Sequence, residues 1–297
     1  MLYADRFLKF VRSQVEAGTL DKDTGKYYEY GWKQLEATSL AKMRMDHIGT
    51  SDAAVIKFAV SPSYANQAFR TLRRMLNLAV EWGVIRSAPK IKTLEEHGRT
   101  ALIEASVEQM LVDHADQPLA DVLVTMMDCG LRPEEAMRMQ REHIFWSRNV
   151  VLVPYGKSFK SKRYVPLSDR MRALLRSRDV GESSWVFPSK RAESGHLTTI
   201  AKQWHKAVKK VNAELVKQGK PKMPSDLVIY CARHTFATDM LSEGMNVVEV
   251  KELLGHTSLA TTMKYLHLDT SGAAAVVNRR NAKAKGLSLV KKQEAAS

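Results

Sequence analysis

Val150-Val151-Leu152-Val153 and Arg163-Tyr164-Val165-Pro166-Leu167 are two short apolar runs flanking the basic turn Gly156-Lys157-Ser158-Phe159-Lys160-Ser161-Lys162. Runs of this length, rich in β-branched residues and separated by turn residues, predict two antiparallel strands with a cationic hairpin tip. Elsewhere apolar residues recur at helical spacing. The fold expected is therefore mainly α with a small antiparallel β-sheet.

Upstream of the hairpin, the apolar segment Leu119 to Cys129 predicts a helix stopped by Gly130, and Ser106-Val107-Glu108-Gln109 matches a capping box that opens an earlier helix. Phe7, Phe10 and Val11, then Tyr27, Tyr30 and Leu35, then Phe69, Leu72, Met75, Leu76, Ala79 and Val80 predict a small helical bundle over the first ninety or so residues. Its last helix ends near Trp82-Gly83. Ser87-Ala88-Pro89-Lys90-Ile91-Lys92 reads as a linker, so the boundary falls between Pro89 and Thr100. Two domains result, 1–95 helical and 100–297 carrying the hairpin. Everything after Asp169 reads as helical, with a break at Gly219-Lys220-Pro221.

The chain has 297 residues and a formal charge of +14, which points to a polyanionic partner. Residues 153–222 alone carry seventeen Lys and Arg against five Asp and Glu. Cys129 and Cys231 stand alone, with no paired spacing and no Cys/His cluster, so neither a disulfide framework nor a metal site is expected. No signal peptide, membrane span or phosphate-binding glycine loop is legible, and a cytoplasmic protein associated with the nucleoid is expected.

Several residues could carry chemistry. Arg132 lies between the helix-ending Gly130 and Pro133, a favoured first helical residue, at a helix N-terminus suited to phosphate. Arg233 opens another helical stretch, and two planar guanidinium forks suit phosphoryl oxygens. Val247 to Leu254 ends in Gly255, which leaves His256 on a loop, and Thr257-Ser258 would cap the short helix carrying Tyr265. A phenol titrates near 10, so a nucleophilic tyrosine needs cationic neighbours. Lys157, Lys160 and Lys162 at the hairpin could enter a groove of DNA and protonate a leaving oxygen. On the amphipathic stretch Thr199 to Gly219, Lys202, Lys206, Lys209 and Lys210 lie opposite the apolar face, a pattern that suits DNA phosphates.

In their order and spacing, Gly130-Leu131-Arg132-Pro133-Glu134-Glu135, the basic turn, Tyr230-Cys231-Ala232-Arg233-His234 and Leu254-Gly255-His256 with Tyr265 nine residues on resemble the tyrosine recombinase, or phage integrase, family. The resemblance implies a core-binding helical domain at 1–95, a catalytic domain at 100–297, phosphate clamping by Arg132 and Arg233, and an acidic residue at Glu135. It also implies His256 as the late histidine, Lys157 as the hairpin lysine with Lys160 its rival, Tyr265 as the nucleophile and His234 in support. Lys162 and Arg163 join the lysines as DNA contacts. Tyr230 departs from the pattern, because the family usually has histidine there. The implied reaction is transesterification through a 3′-phosphotyrosine, without metal or other cofactor, by a homotetramer on two double-stranded DNA sites with room for accessory DNA-bending proteins. A relaxing activity like that of a type IB topoisomerase, or a non-catalytic DNA-binding protein, are the competing readings. Integration of a mobile element is favoured over resolution of chromosome dimers.

Overall fold

A computed structural model describes residues 2–96, 98, 101–154, 162–179 and 181–267. The chain divides into two compact units, Met1–Gly98 and Arg99–Ser297.

The first unit consists of helices α1 (Leu2–Glu16), α2 (Lys22–Glu36), α3 (Thr50–Ala54) and α4 (Pro62–Glu81), with two 3₁₀ turns between α2 and α3. Asp21 caps α2 by accepting the backbone N–H groups of Asp23 and Thr24, and Pro62 starts α4 at a position where its missing donor costs nothing. The buried faces carry Phe7, Val11, Leu35, Leu72 and Leu76. Helices α2 and α4 meet at Gly31, where a Cβ would sit 2.0 Å from the Thr71 hydroxyl and 3.0 Å from the Gln67 carbonyl oxygen. Thr71 is fully buried and bonded to that same carbonyl, so it has little room to yield. Gly31→Ala should therefore lower stability. Overpacking of about 1–3 kcal/mol outweighs the helix-propensity gain of about 1 kcal/mol. A denaturation midpoint equal to or above the parent's would contradict the close approach.

The segment read as a linker is held to α4. Ile91 is buried, Arg73 donates to its carbonyl at 2.5 Å, and the wholly buried Asn66 side chain exchanges two hydrogen bonds with the backbone of Leu94 at 2.7 and 2.9 Å. The buried Ile91, set among basic and turn residues, anchors the strap.

In the second unit, α5 (Ala105–His114) and α6 (Leu119–Cys129) precede the short α7 (Pro133–Met137). Helix α6 is buried nearly all round, and its two acidic residues are paired: Asp121 with Arg178 at 2.5 Å, Asp128 with Ser168 and Arg170. Helix α5 does not open with the capping box expected. It starts at Ala105, with Ser106 already inside. Gln109 bonds Asp113 one turn on, and Glu108 pairs with Arg170, so neither side chain reaches back to the helix start.

The expected hairpin forms from β2 (Val150–Val153) and β3 (Arg163–Pro166), in the register Val151 to Val165 and Val153 to Arg163. A third strand, β1 (Ile144–Phe145), pairs antiparallel with β2 in the order β1-β2-β3. Two residues are too few to show a period of two. Val151, Val153 and Val165 face the core, whereas Tyr164 is exposed.

Helices α8 (Asp169–Ser177), α9 (Ala201–Lys217), α10 (Cys231–Ser242), α11 (Val247–Leu254) and α12 (Leu259–Met263) complete the unit. The expectation of continuous helix after Asp169 fails between α8 and α9, where the described residues from Gly181 to Ile200 are irregular and make isolated bridges, Gln140 to Trp185 and Pro188 to His196. Gly181, Pro188 and Gly195, among several serines, explain the break. Tyr265 lies one step beyond α12, in the 3₁₀ turn Lys264–His267.

Candidate active site

The site is organised by one buried carboxylate. Gly130 ends α6 with φ of 61°, Arg132 turns the chain at the cap position of α7, and Pro133 begins that helix. Glu135 then folds back to accept the Arg132 backbone N–H at 2.9 Å and its Nη1 at 2.7 Å. Arg163, at the first residue of β3, donates to the same carboxylate through Nη2 at 2.8 Å and Nη1 at 3.2 Å. From α10, Arg233 brings Nη1 to 3.5 Å. Burial alone would raise the Glu135 pKa, but the hydrogen bond and charge of Arg163, the Arg132 N–H and the Arg233 charge outweigh it, so the carboxyl titrates below its ordinary value of 4.5.

Each arginine has a different remaining freedom. Arg163 also donates Nε to the Leu253 carbonyl at 2.6 Å, and a Cβ on Gly255 would come within 2.9 Å of its Nη1. Arg233 is fully buried, with Nη1 on the Gly130 carbonyl at 2.8 Å and Nη2 on the Leu254 carbonyl at 2.5 Å. Its Nε has no hydrogen-bond partner among the described residues. Burial, then the Arg132 charge, pushes the Arg233 pKa down to about 10, which still leaves a cation at neutral pH. Arg132 keeps 29% of its side chain exposed and faces the Tyr230 hydroxyl, to which it can only donate.

Tyr265 is buried against Phe236, Ala237, Val250 and Leu254. Its hydroxyl lies 2.9 Å from His234 Nδ1, and its ring is stacked on His256 at 6.2 Å. Burial outweighs the charges of Arg233 and Arg132, so the phenol is pushed up to about 12 and holds its proton at neutral pH. His256 follows the left-handed Gly255 that closes α11, and its Nδ1 lies 2.9 Å from the buried Thr262 hydroxyl. Burial, then Arg233, Arg132 and Arg163, push its pKa down to about 4. Arg132, Glu135, Tyr230, Arg233, His256 and Tyr265 are thus gathered in one cluster. No group of three or more His, Cys, Asp or Glu side chains suited to a metal occurs among the described residues.

Residues 92–271 match the Phage integrase family. The chain belongs to that family. The chain is 32% identical over 220 residues to y4eF of Sinorhizobium fredii, an integrase/recombinase by name, across 73% of this chain and 83% of that protein. It is also 32% identical to tyrosine recombinase XerD of Pseudomonas aeruginosa, across 66% of this chain and 68% of that protein. The Tn1549 transposon integrase, solved with transposon right end DNA, shares the fold at a TM-score of 0.71 and 18% identity, over 92% of this chain and 98% of that one.

Lys157 and Lys160 lie outside the described residues, and Lys162 is exposed. Arg163, expected at the DNA surface, is instead 8% exposed and committed to Glu135 and Leu253. A strand-end arginine beside a buried carboxylate is drawn inward. On α9, Lys202 and Lys209 face solvent, but Lys206 reaches Asp116 at 2.5 Å and Lys210 reaches Asp116 and the His114 carbonyl at 3.4 and 3.1 Å. Asp116 is more than eighty residues away in sequence, so these pairs had no local signal. The His234 contact with Tyr265 was likewise unread, although both residues belong to the motifs.

The neutral His256 gives the protein an acid-sensitive stability. Its pKa is about 4 in the folded chain against 6.5 ordinarily, so the contribution is fully present above 6.5 and is lost as pH falls toward 4. Between pH 7 and pH 5 this amounts to about 2 kcal/mol. His256→Gln should flatten the pH dependence of urea unfolding in that window; an unchanged slope would show that His256 titrates normally.

Proposed function

We propose that this protein is a site-specific DNA recombinase that cleaves and rejoins strands by transesterification. In this reading Tyr265 Oη attacks the scissile phosphate, its P–O bond forms as the bond to the 5′ oxygen breaks, and a 3′-phosphotyrosine with a free 5′ hydroxyl results. Reversal by a 5′ hydroxyl from a second duplex rejoins the strands. The bond energy is kept in the covalent link, so no nucleotide triphosphate is consumed.

The observation that carries the reading is the convergence of Tyr265 with Arg132 and Arg233 around the ionised Glu135. The carboxylate holds Arg132 by hydrogen bonds and Arg233 by charge, while Arg132 remains part-exposed and the buried Arg233 Nε makes no hydrogen bond among the described residues. Those donors suit the non-bridging oxygens of a phosphate and the charge that grows on them in the transition state. Tyr230, His256 and one hairpin lysine complete the set, Lys157 being favoured over Lys160 as donor of the proton to the 5′ oxygen. The excess of +14 supplies the attraction to double-stranded DNA, through Lys162, Lys202 and Lys209 among others. Residues 1–95 are assigned the core-binding role and 100–297 the chemistry, in a homotetramer on two sites with accessory DNA-bending proteins.

The test is to incubate the protein with genomic DNA of its own host, trap covalent complexes with denaturant, and map both partners. Expected is a recurrent DNA sequence with its 3′ phosphate on Tyr265. Relaxation of any supercoiled plasmid regardless of sequence would favour the topoisomerase-like reading, and tight binding without an adduct would favour a non-catalytic DNA-binding protein.

A further inference from the structure

The His234 ring is wedged between two tyrosines. Its centroid is 5.0 Å from the Tyr230 ring, edge to face, and 5.4 Å from the Tyr265 ring, with Nδ1 lying 2.9 Å from the Tyr265 hydroxyl. Tyr230 and His234 are four residues apart at the start of α10 and so share one face of that helix.

Other groups around the phenol are occupied differently. His256 engages Thr262 through Nδ1 and lies parallel to the Tyr265 ring, with 17° between planes, so it stacks on the ring rather than meeting the hydroxyl. Tyr230 faces the Arg132 guanidinium, which can only donate to its hydroxyl. Arg132 and Arg233 act on the phenol by charge, and guanidinium groups cannot accept a proton. Among the described residues, the Tyr265 hydroxyl makes its hydrogen bond with His234 Nδ1, at 2.9 Å. Because the buried phenol keeps its proton, the hydroxyl can donate and Nδ1 can accept, with the imidazole proton on Nε2.

We propose that His234 is the proton acceptor for the nucleophile: as the Tyr265 Oη–P bond forms and the P–O5′ bond breaks, the hydroxyl proton moves to His234 Nδ1. The 5′ oxygen takes a proton from the hairpin lysine named above, so one proton enters the protein and one leaves it. In the reverse step the imidazolium returns its proton to Tyr265. This assignment rests on Tyr265 being the nucleophile.

The experiment compares His234→Ala and His234→Asn with the parent protein in single-turnover adduct formation on the mapped site. Asparagine can present its amide oxygen near the position of Nδ1, so it keeps a hydrogen-bond acceptor for the hydroxyl but cannot take the proton. Both variants should bind DNA as the parent does and form adduct about a hundredfold more slowly, the usual minimum for lost general base catalysis. Parental speed in His234→Asn would overturn the proton transfer and leave a positioning contact. Faster adduct formation in His234→Ala would overturn it in favour of a contact that restrains the tyrosine. Should His234→Ala fail to fold, His234→Asn still decides. An adduct that maps away from Tyr265 in the parent would instead overturn the nucleophile assignment, and the proposal with it.

Discussion

Tyr265→Phe is expected to abolish the covalent protein–DNA adduct while leaving DNA affinity within about twofold of the parent. The substitution removes one atom, the oxygen that would bond to phosphorus, and no other group at position 265 can form the intermediate. The ring stays stacked on His256 and packed against Phe236, Val250 and Leu254, so the local fold is kept. The lost hydroxyl leaves His234 without that partner at a part-buried position, a cost of about 1 kcal/mol in stability. Filter binding and denaturing gels on the same DNA separate the two effects. An adduct that persists in Tyr265→Phe would remove this residue from the chemistry.

The second large effect is expected at Glu135. Removing the carboxylate leaves Arg132, Arg163 and Arg233 facing one another, two of them with almost no access to water. Breaking a buried ion pair from one side typically costs about 3–5 kcal/mol, because the stranded charge is not resolvated. Glu135→Gln keeps the shape and removes the charge, so it isolates this cost from a cavity. It should lower the unfolding free energy by about 3 kcal/mol near pH 7. The sign with pH follows from the depressed carboxyl pKa: the contribution is present above 4.5 and is lost as pH falls below it. Parent and variant should therefore converge in acid. Equal stability at pH 7 would show that the three arginines do not depend on the carboxylate. Adduct formation should fall as well, since Arg132 and Arg233 lose the group that orients them.

Local signals account for what could be read in advance. Gly130 and Gly255 do end α6 and α11, and the β-branched runs do pair, because turn residues and apolar periodicity act over a few positions. Arg132, Glu135, Tyr230, Arg233, His256 and Tyr265 were legible as types at suggestive places. Their convergence depends on helices far apart in the chain. Arg163 reads as one more cation of the basic turn, yet its partner Glu135 lies 28 residues upstream and its carbonyl acceptor 90 residues downstream. The partnership of Lys206 with Asp116, across 90 residues, is hidden in the same way. Strand β1 is too short for a period, and the capping box at Ser106 fails because Gln109 and Glu108 find partners elsewhere.

Arg163 also sets a rule for re-engineering. It is the first residue of β3, pairs with Val153 across the sheet, and grips both Glu135 and the Leu253 carbonyl beside the histidine loop. The strand that follows the intervening turn is thus fastened at its first residue to the carboxylate that also holds Arg132. Turns of other length can be grafted between Val153 and Arg163, provided both anchor residues are retained and a lysine is kept at the place of Lys157. Shifting the graft by a single position would turn the arginine to the opposite face of the sheet and dismantle the arrangement behind it.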